Sequence, residues 1–245
     1  MSRRPAAVAV GFLLFFAVSA CGSSGGDGAS DPASTSSTAA GGEASATYGS
    51  GACAPADGED QPVLTFDDAP KQCIDVDKTY TATVETSEGT VVLELDTERT
   101  PITTNNFVNL ARSGYFDDTT LFRTEAATGI IQGGSPHTQD NADEGPGYFI
   151  PDEGMPFSED DYAAGTIAMA NAGPGTAGGQ FFFLANDGGS YLGDPGAIGD
   201  SAGQYAVFGT VTEGLDVLQA IAELDDGSGA PSKPVTIESV TIAES

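Results

Sequence analysis

The chain has 245 residues, with 36 Asp and Glu against 8 Lys and Arg and a single His, a formal net charge of −28 at pH 7. So large a negative excess argues against nucleic-acid binding and against adhesion of a folded surface to anionic lipid. It favours solubility, and basic polypeptide segments or divalent counter-ions as company.

Arg3 and Arg4 precede an apolar run from Ala6 to Ala17, which Val18-Ser19-Ala20-Cys21 closes. Basic start, short apolar middle and small residues at a cut site are the order of a secretory signal. The run is shorter than the about 20 residues a bilayer span needs. A Cys directly behind small residues resembles a bacterial lipobox. Residues 1–20 are therefore expected to be removed and Cys21 to carry lipid. Each buried lipid methylene contributes about 0.8 kcal/mol, so the chain is expected outside the cytoplasm, held to the membrane through its lipid anchor alone. The alternative is an ordinary signal peptide with a Cys nearby. Residues 21–51 are rich in Gly, Ser, Ala and Thr, with almost no large apolar side chain to offset the entropy of ordering, and read as a flexible tether. Residues 52–78 form an extension bearing Cys53 and Cys73, for which an exported chain predicts a disulfide. The alternatives are two free thiols or a metal site, and a single His without clustered Cys speaks against the metal.

Residues 79–245 suffice for one domain with a full core. Thr79 to Thr86 alternates, Ser87-Glu88-Gly89 turns the chain, and Thr90 to Leu95 alternates again, which predicts a hairpin. Thr100-Pro101 predicts a helix start, Thr as cap and Pro at the first helical position, with Thr103, Phe107, Leu110 and Ala111 on one face and Gly114 as stop. Short strands are predicted at Ile130–Gln132, Gly165–Met169, Gln180–Ala185 and Ala206–Val211, separated by Gly/Pro loops. A second helix from about Leu215 to Leu224 precedes a closing strand, Val235 to Ile242, whose alternation changes phase near Ser239. Many short strands and two helices without a βαβ rhythm predict a mainly β antiparallel barrel or sandwich.

Three stretches carry a resemblance. Met169-Ala170-Asn171-Ala172-Gly173-Pro174, Gly178-Gly179-Gln180-Phe181-Phe182-Phe183 and Ile130-Ile131-Gln132-Gly133-Gly134 closely resemble the signatures of the cyclophilins, over roughly Tyr80 to Ser245. The resemblance implies a closed eight-stranded antiparallel barrel capped by two α-helices, peptidyl-prolyl cis–trans isomerase activity, proline-containing polypeptide clients, no cofactor and a monomer. Prolyl isomerisation needs no nucleophile. Its barrier is amide resonance, about 18–20 kcal/mol, and the twisted amide regains a nitrogen lone pair that a fixed cationic donor stabilises.

By this resemblance Arg123 is the catalytic donor. Gln132 and Asn171 hold the peptide backbone, Phe182 is the floor of the proline pocket and Ile130 its wall. Ala170 and Gln180 line the groove, with Tyr191, Leu192 and Tyr205 on its rim. Strand alternation turns Phe181 and Phe183 away from Phe182. The chain departs from the family at Phe122, which stands where His is usual. It departs again in a spacing from Arg123 to Gln132 one residue longer, and in Arg123-Thr124-Glu125, which lacks the usual apolar pair. The bland alternative for Arg123 is a surface pair with Glu125. The segment Gly193–Gly203 is longer than in compact members. Other chemistries lack their residues: Gly173–Gly179 has no Lys for phosphate, His137 has no nucleophile elbow, and Asp140–Gly145 lacks calcium-loop ligands. The sequence thus predicts an isomerase for X-Pro bonds of exported or cell-surface proteins, with a catalytically weak proline-peptide binding module (a holdase or scaffold) as the alternative.

Overall fold

The computed structural model describes residues 48–245. The signal-like run, Cys21 and the tether up to residue 47 lie outside the described residues.

Strand β1 (Tyr80–Thr86) and strand β2 (Gly89–Leu95) form the expected hairpin, in register from Tyr80 opposite Leu95 to Thr86 opposite Gly89. Alternation buries Tyr80, Ala82 and Val84 with Val91, Leu93 and Leu95. Thr86 closes the turn, its Oγ1 donating to the Gly89 carbonyl at 2.7 Å and accepting from the Glu88 N–H at 3.1 Å. Helix α1 (Pro101–Arg112) follows, then strands β3 (Thr119–Thr120), β4 (Arg123–Glu125), β5 (Ile130–Gly133), β6 (Thr166–Met169) and β7 (Phe181–Leu184). A one-turn helix α2 (Pro195–Ile198), strand β8 (Val207–Glu213), helix α3 (Leu215–Ala222) and strand β9 (Thr236–Glu244) complete the chain.

Among the described residues nine strands form one antiparallel sheet, ordered β3-β9-β1-β2-β8-β6-β7-β5-β4. The expected closed barrel of eight strands is therefore corrected to a curled sheet of nine whose edges, β3 and β4, do not pair. These two edges are successive pieces of one passing segment, with only Leu121-Phe122 between them. A chain that does not reverse cannot form an antiparallel ladder with itself. Leu121 is buried and its N–H bonds the Val235 carbonyl at 2.9 Å, so covalent chain spans the gap where a ladder was expected. The phase change anticipated near Ser239 is a bulge: Glu85 faces Ser239 while Thr86 faces Ile237, which keeps both Ile237 and Val240 buried.

Inside the curl, Phe107 of α1 packs with Phe116, Phe181 and Phe208, ring centroids 5.1–5.7 Å apart. Every residue of α1 from Ile102 to Ala111 is buried, including its Asn residues. The face turned from the core is covered by the strap of residues 48–78. Asn105 Oδ1 accepts from the N–H groups of Cys73 and Ile74, its Nδ2 donates to the Lys71 carbonyl, and Asn109 Oδ1 accepts from the Ala54 N–H. A Cys53–Cys73 disulfide, Cα atoms 5.5 Å apart, closes the strap. Residues 48–51 belong to it too, since the N–H of Gly51 bonds the Ala69 carbonyl at 2.8 Å and the N–H of Lys71 returns to the Gly51 carbonyl at 3.0 Å. Thr100 precedes α1 without capping it by its side chain; Oγ1 donates instead to the carbonyls of Asp96 and Val207. Glu153 supplies the missing acceptor, taking the Thr103 N–H. Among the described residues no helix is long and apolar enough to cross a membrane.

Candidate active site

The period of two in a strand divides the apolar residues of the sheet between two clusters. Ile131, Ile167, Met169, Phe181 and Phe183 point into the main core. Their neighbours Ile130, Ala168, Phe182 and Leu184 form a second cluster on the other face, with Phe157, Tyr162, Leu192 and Ala206 from the connecting segments. Register then sets a row across that outer face. Arg123 lies opposite Gln132, Gln132 opposite Phe182, and Phe182 opposite Ala168. Strands lie about 4.8 Å apart, so a guanidinium, an amide and an aromatic ring occupy three successive places.

Over this row runs a groove of about 890 Å³. Its floor is Phe182, 4% exposed, with Ile130 and Leu192 beside it. The Tyr205 ring meets Phe182 edge-on, centroids 5.8 Å apart. Tyr162 fixes the Tyr205 backbone: its hydroxyl donates to the Tyr205 carbonyl at 2.8 Å and accepts from the Tyr205 N–H at 3.2 Å. Burial pushes the Tyr162 phenol well above its ordinary pKa, which keeps it a neutral donor. Tyr191, also on the wall, is raised by burial too, with the Glu125 charge adding to it.

The polar side of the groove is one connected network. Arg123 Nη1 donates to Gln132 Oε1 at 2.9 Å, and Gln132 Nε2 donates to Gln180 Oε1 at 2.8 Å. Arg123 Nε donates to Glu125 Oε1 at 2.9 Å, and Nη2 donates to the same oxygen. The Arg123 side chain is 40% exposed, and Arg123 is the one cationic residue lining the groove among the described residues. Asn171 ties down the following loop, its Nδ2 donating to the Gln204 carbonyl at 2.8 Å and its Oδ1 accepting from the Gly173 N–H at 3.1 Å. The Ala170 N–H bonds the Gln180 carbonyl at 3.0 Å, holding that loop against β7. Opposite stands an acidic loop that includes Asp140, Asp143 and Glu144. Burial works against ionisation of Asp143, but hydrogen bonds from His137, Thr138 and Gly145 outweigh it and hold the carboxyl below its ordinary value.

A family model described as cyclophilin type peptidyl-prolyl cis-trans isomerase/CLD matches residues 81–242. The chain belongs to the cyclophilin family. Among relatives, peptidyl-prolyl cis-trans isomerase cyp18 of Streptomyces antibioticus is 37% identical over 170 residues, 66% of this chain and 98% of the relative. Probable peptidyl-prolyl cis-trans isomerase B of Mycobacterium leprae is 34% identical over 181 residues, 67% of this chain. The aligned part spans little more than half of that relative, 57% of its length. The crystal structure of a cyclophilin type peptidyl-prolyl cis-trans isomerase of Cryptosporidium parvum superposes with a TM-score of 0.56 at 26% identity, covering 67% of this chain and 98% of that one.

All the groove residues expected from the cyclophilin signatures line this one groove: Arg123, Ile130, Gln132, Ala170, Asn171, Gln180, Phe182, Tyr191, Leu192 and Tyr205. Phe122, in the place of the usual cyclophilin His, lines it as well. None of residues 193–203 does. That segment closes on itself, the Gly203 N–H bonding the Leu192 carbonyl at 2.7 Å, and its Asp194 caps α2 by accepting from the Gly196 N–H at 2.7 Å. Several linings escaped the sequence reading, Thr176 and the Ser228-Gly229 pair among them, and two are prominent. The acidic loop reads in sequence as a solvated turn, yet it forms a wall. Phe149, 61% exposed, lines the groove between the turn residues Gly147 and Pro151; a large apolar residue placed between two chain-turning residues was the available signal.

Proposed function

We propose that this chain is a peptidyl-prolyl cis–trans isomerase in which Arg123 stabilises the twisted amide of X-Pro bonds in exported or cell-surface polypeptides. One observation carries the reading: the register that sets Arg123, Gln132 and Phe182 side by side on the outer face. Phe182, Ile130 and Leu192 offer the pyrrolidine ring an apolar seat. A guanidinium two places along is within side-chain reach of the prolyl nitrogen. As the amide twists, that nitrogen regains its lone pair and becomes an acceptor, so the donor favours the transition state over either planar isomer. The groove residues move no proton and form no bond to the substrate. Gln132 and Asn171 hold the peptide main chain, with Gln180 lining the groove beside them, while the part beyond the prolyl bond rotates.

Export is supported by the Cys53–Cys73 disulfide, which belongs to an oxidising compartment, and by the basic, apolar and small-residue order ending at Cys21.

The test is isomerisation of a proline peptide measured alongside its binding. Arg123→Ala should lower kcat/KM by roughly 10²–10³, the scale for one preorganised donor, and weaken binding far less. Arg123→Lys should recover only part, because a point-charge ammonium does not reproduce the planar fork. Phe182→Ala empties the pocket and should damage binding and rate together. An Arg123→Ala protein as fast as the parent would remove the catalytic assignment. A parent protein that binds proline peptides without isomerising them would establish the binding-module alternative.

A further inference from the structure

Three of the places where the sequence departs from its family gather around Arg123: Phe122, the longer spacing to Gln132 and Thr124-Glu125. Strand β4 is an edge of the sheet, so among the described residues no strand flanks Arg123 on its outer side. In Arg123-Thr124-Glu125 the middle residue faces inward and is fully buried, which puts the Arg123 and Glu125 side chains on the same outer face. Glu125 Oε1 takes two guanidinium donors, Nε and Nη2. Its other oxygen, Oε2, accepts from Thr128 Oγ1 at 3.0 Å. Thr128 sits in the lengthened turn between β4 and β5, which other segments hold firmly. The Ala126 N–H donates to Asp225, Asn186 Nδ2 donates to the Ala126 carbonyl at 3.0 Å, and the Ala185 N–H bonds the Gly129 carbonyl at 2.8 Å.

We infer that Glu125, itself anchored by Thr128, is the positioning residue of Arg123: it takes the role of the missing flanking strand and fixes the guanidinium before a peptide arrives. The inference rests on the reading of Arg123 as the catalytic donor. An Arg side chain carries five N–H donors. Three of Arg123's are engaged by Glu125 and Gln132, which leaves two for the twisting amide in a fixed plane. Without the carboxylate, a partly exposed arginine on an edge strand samples solvent-facing rotamers, and productive orientation becomes a fraction of its time. The loss falls on the transition state, where geometry matters most. It falls little on peptide binding, which Phe182, Gln132 and Asn171 carry.

Isomerisation of an Ala-Pro peptide by the full chain tests this in a double-mutant cycle. Glu125→Ala should lower kcat by roughly tenfold with KM changed by less than about twofold. Glu125→Gln keeps an acceptor for both arginine donors and should retain most of the rate. Thr128→Val should lower kcat in the same direction by less. In an Arg123→Ala background none of these changes should slow the enzyme further. If Glu125→Ala does not fold, Glu125→Gln and Thr128→Val in the two backgrounds carry the test. The inference is overturned if Glu125→Ala leaves kcat unchanged while Arg123→Ala lowers it, or if the Glu125 and Thr128 variants cost the same rate with and without Arg123. Arg123→Ala without effect sinks the catalytic reading, and this inference with it.

Discussion

Gly179 shows how one residue can carry a reason that its sequence context hides. In Gly178-Gly179-Gln180 the pair reads as a turn, yet Gly179 does not adopt a left-handed backbone. What it needs is room: a Cβ there would stand 2.6 Å from the Tyr115 hydroxyl oxygen and 2.8–2.9 Å from ring atoms of that buried tyrosine. Gly179→Ala should therefore overpack the junction, costing about 1–3 kcal/mol, and displace Gln180 from Gln132. Thermal unfolding and kcat/KM measured together would check it; an unchanged Tm would mean that Tyr115 yields freely. Residue types at the groove were legible because short motifs name them. Their partners were legible only where alternation or adjacency supplied one, as for Glu125 beside Arg123. The bonds from Asn106 Nδ2 to the Gly178 carbonyl and from the Tyr148 hydroxyl to Asn106 Oδ1 join residues 42–72 positions apart, and no local pattern announces them.

Helix α1 was predicted with the right start and stop, and with one apolar face. The second face went unread for a physical reason. Asn105 and Asn109 look like solvent-facing residues, but a side-chain amide satisfies strap backbone as readily as water does, so polarity there marks a buried seam rather than a surface. The same helix carries a pH-dependent contact. Burial raises the pKa of Glu153 above its ordinary value, against the opposing hydrogen bonds from Thr103 and Ile102, with Asp96 adding repulsion. A carboxyl whose folded pKa is raised contributes stability while it is protonated, fully below its unfolded pKa of about 4.3, and that contribution is lost as pH rises through the folded value. Glu153→Gln keeps the acceptor for the Thr103 N–H and removes the buried charge. Its Tm should rise by about 2 °C near neutral pH and match the parent near pH 4. A lower Tm at neutral pH would show that the helix end needs the negative charge more than it suffers from its burial.

At the scale of the whole molecule, seven of the nine strands among the described residues and helices α1 and α3 followed from alternation and turn residues, while β3, β4 and closure did not. Whether a sheet ends in a ladder or in covalent chain depends on two-residue strands such as β3, too short to leave a periodic trace. The proposed anchoring concerns the part of the chain before residue 48. Replacing Cys21 by Ser should abolish lipid attachment and either release the protein from membranes or leave an uncleaved precursor. Fractionation that shows unchanged processing and membrane partition in Cys21→Ser would end the lipoprotein reading.

The strap also has a mechanical side. Tension arriving from the N-terminal side of residue 48 enters at Ser50 and Gly51, clipped to Asp68 and Ala69, and then meets Cys53. From there the covalent path to β1 crosses sulfur to Cys73 and leaves the chain between them slack. A pull therefore reaches a strand held on both sides, β1 between β9 and β2, without peeling the strap from α1. Reduction would reroute the load through the strap itself. It would free about 65 Å of chain, about 3.5 Å per residue over a separation of 20 less the 5.5 Å that the bridge already spans, and turn a short, stiff leash into a long one that uncovers Asn105 and Asn109 as it pays out.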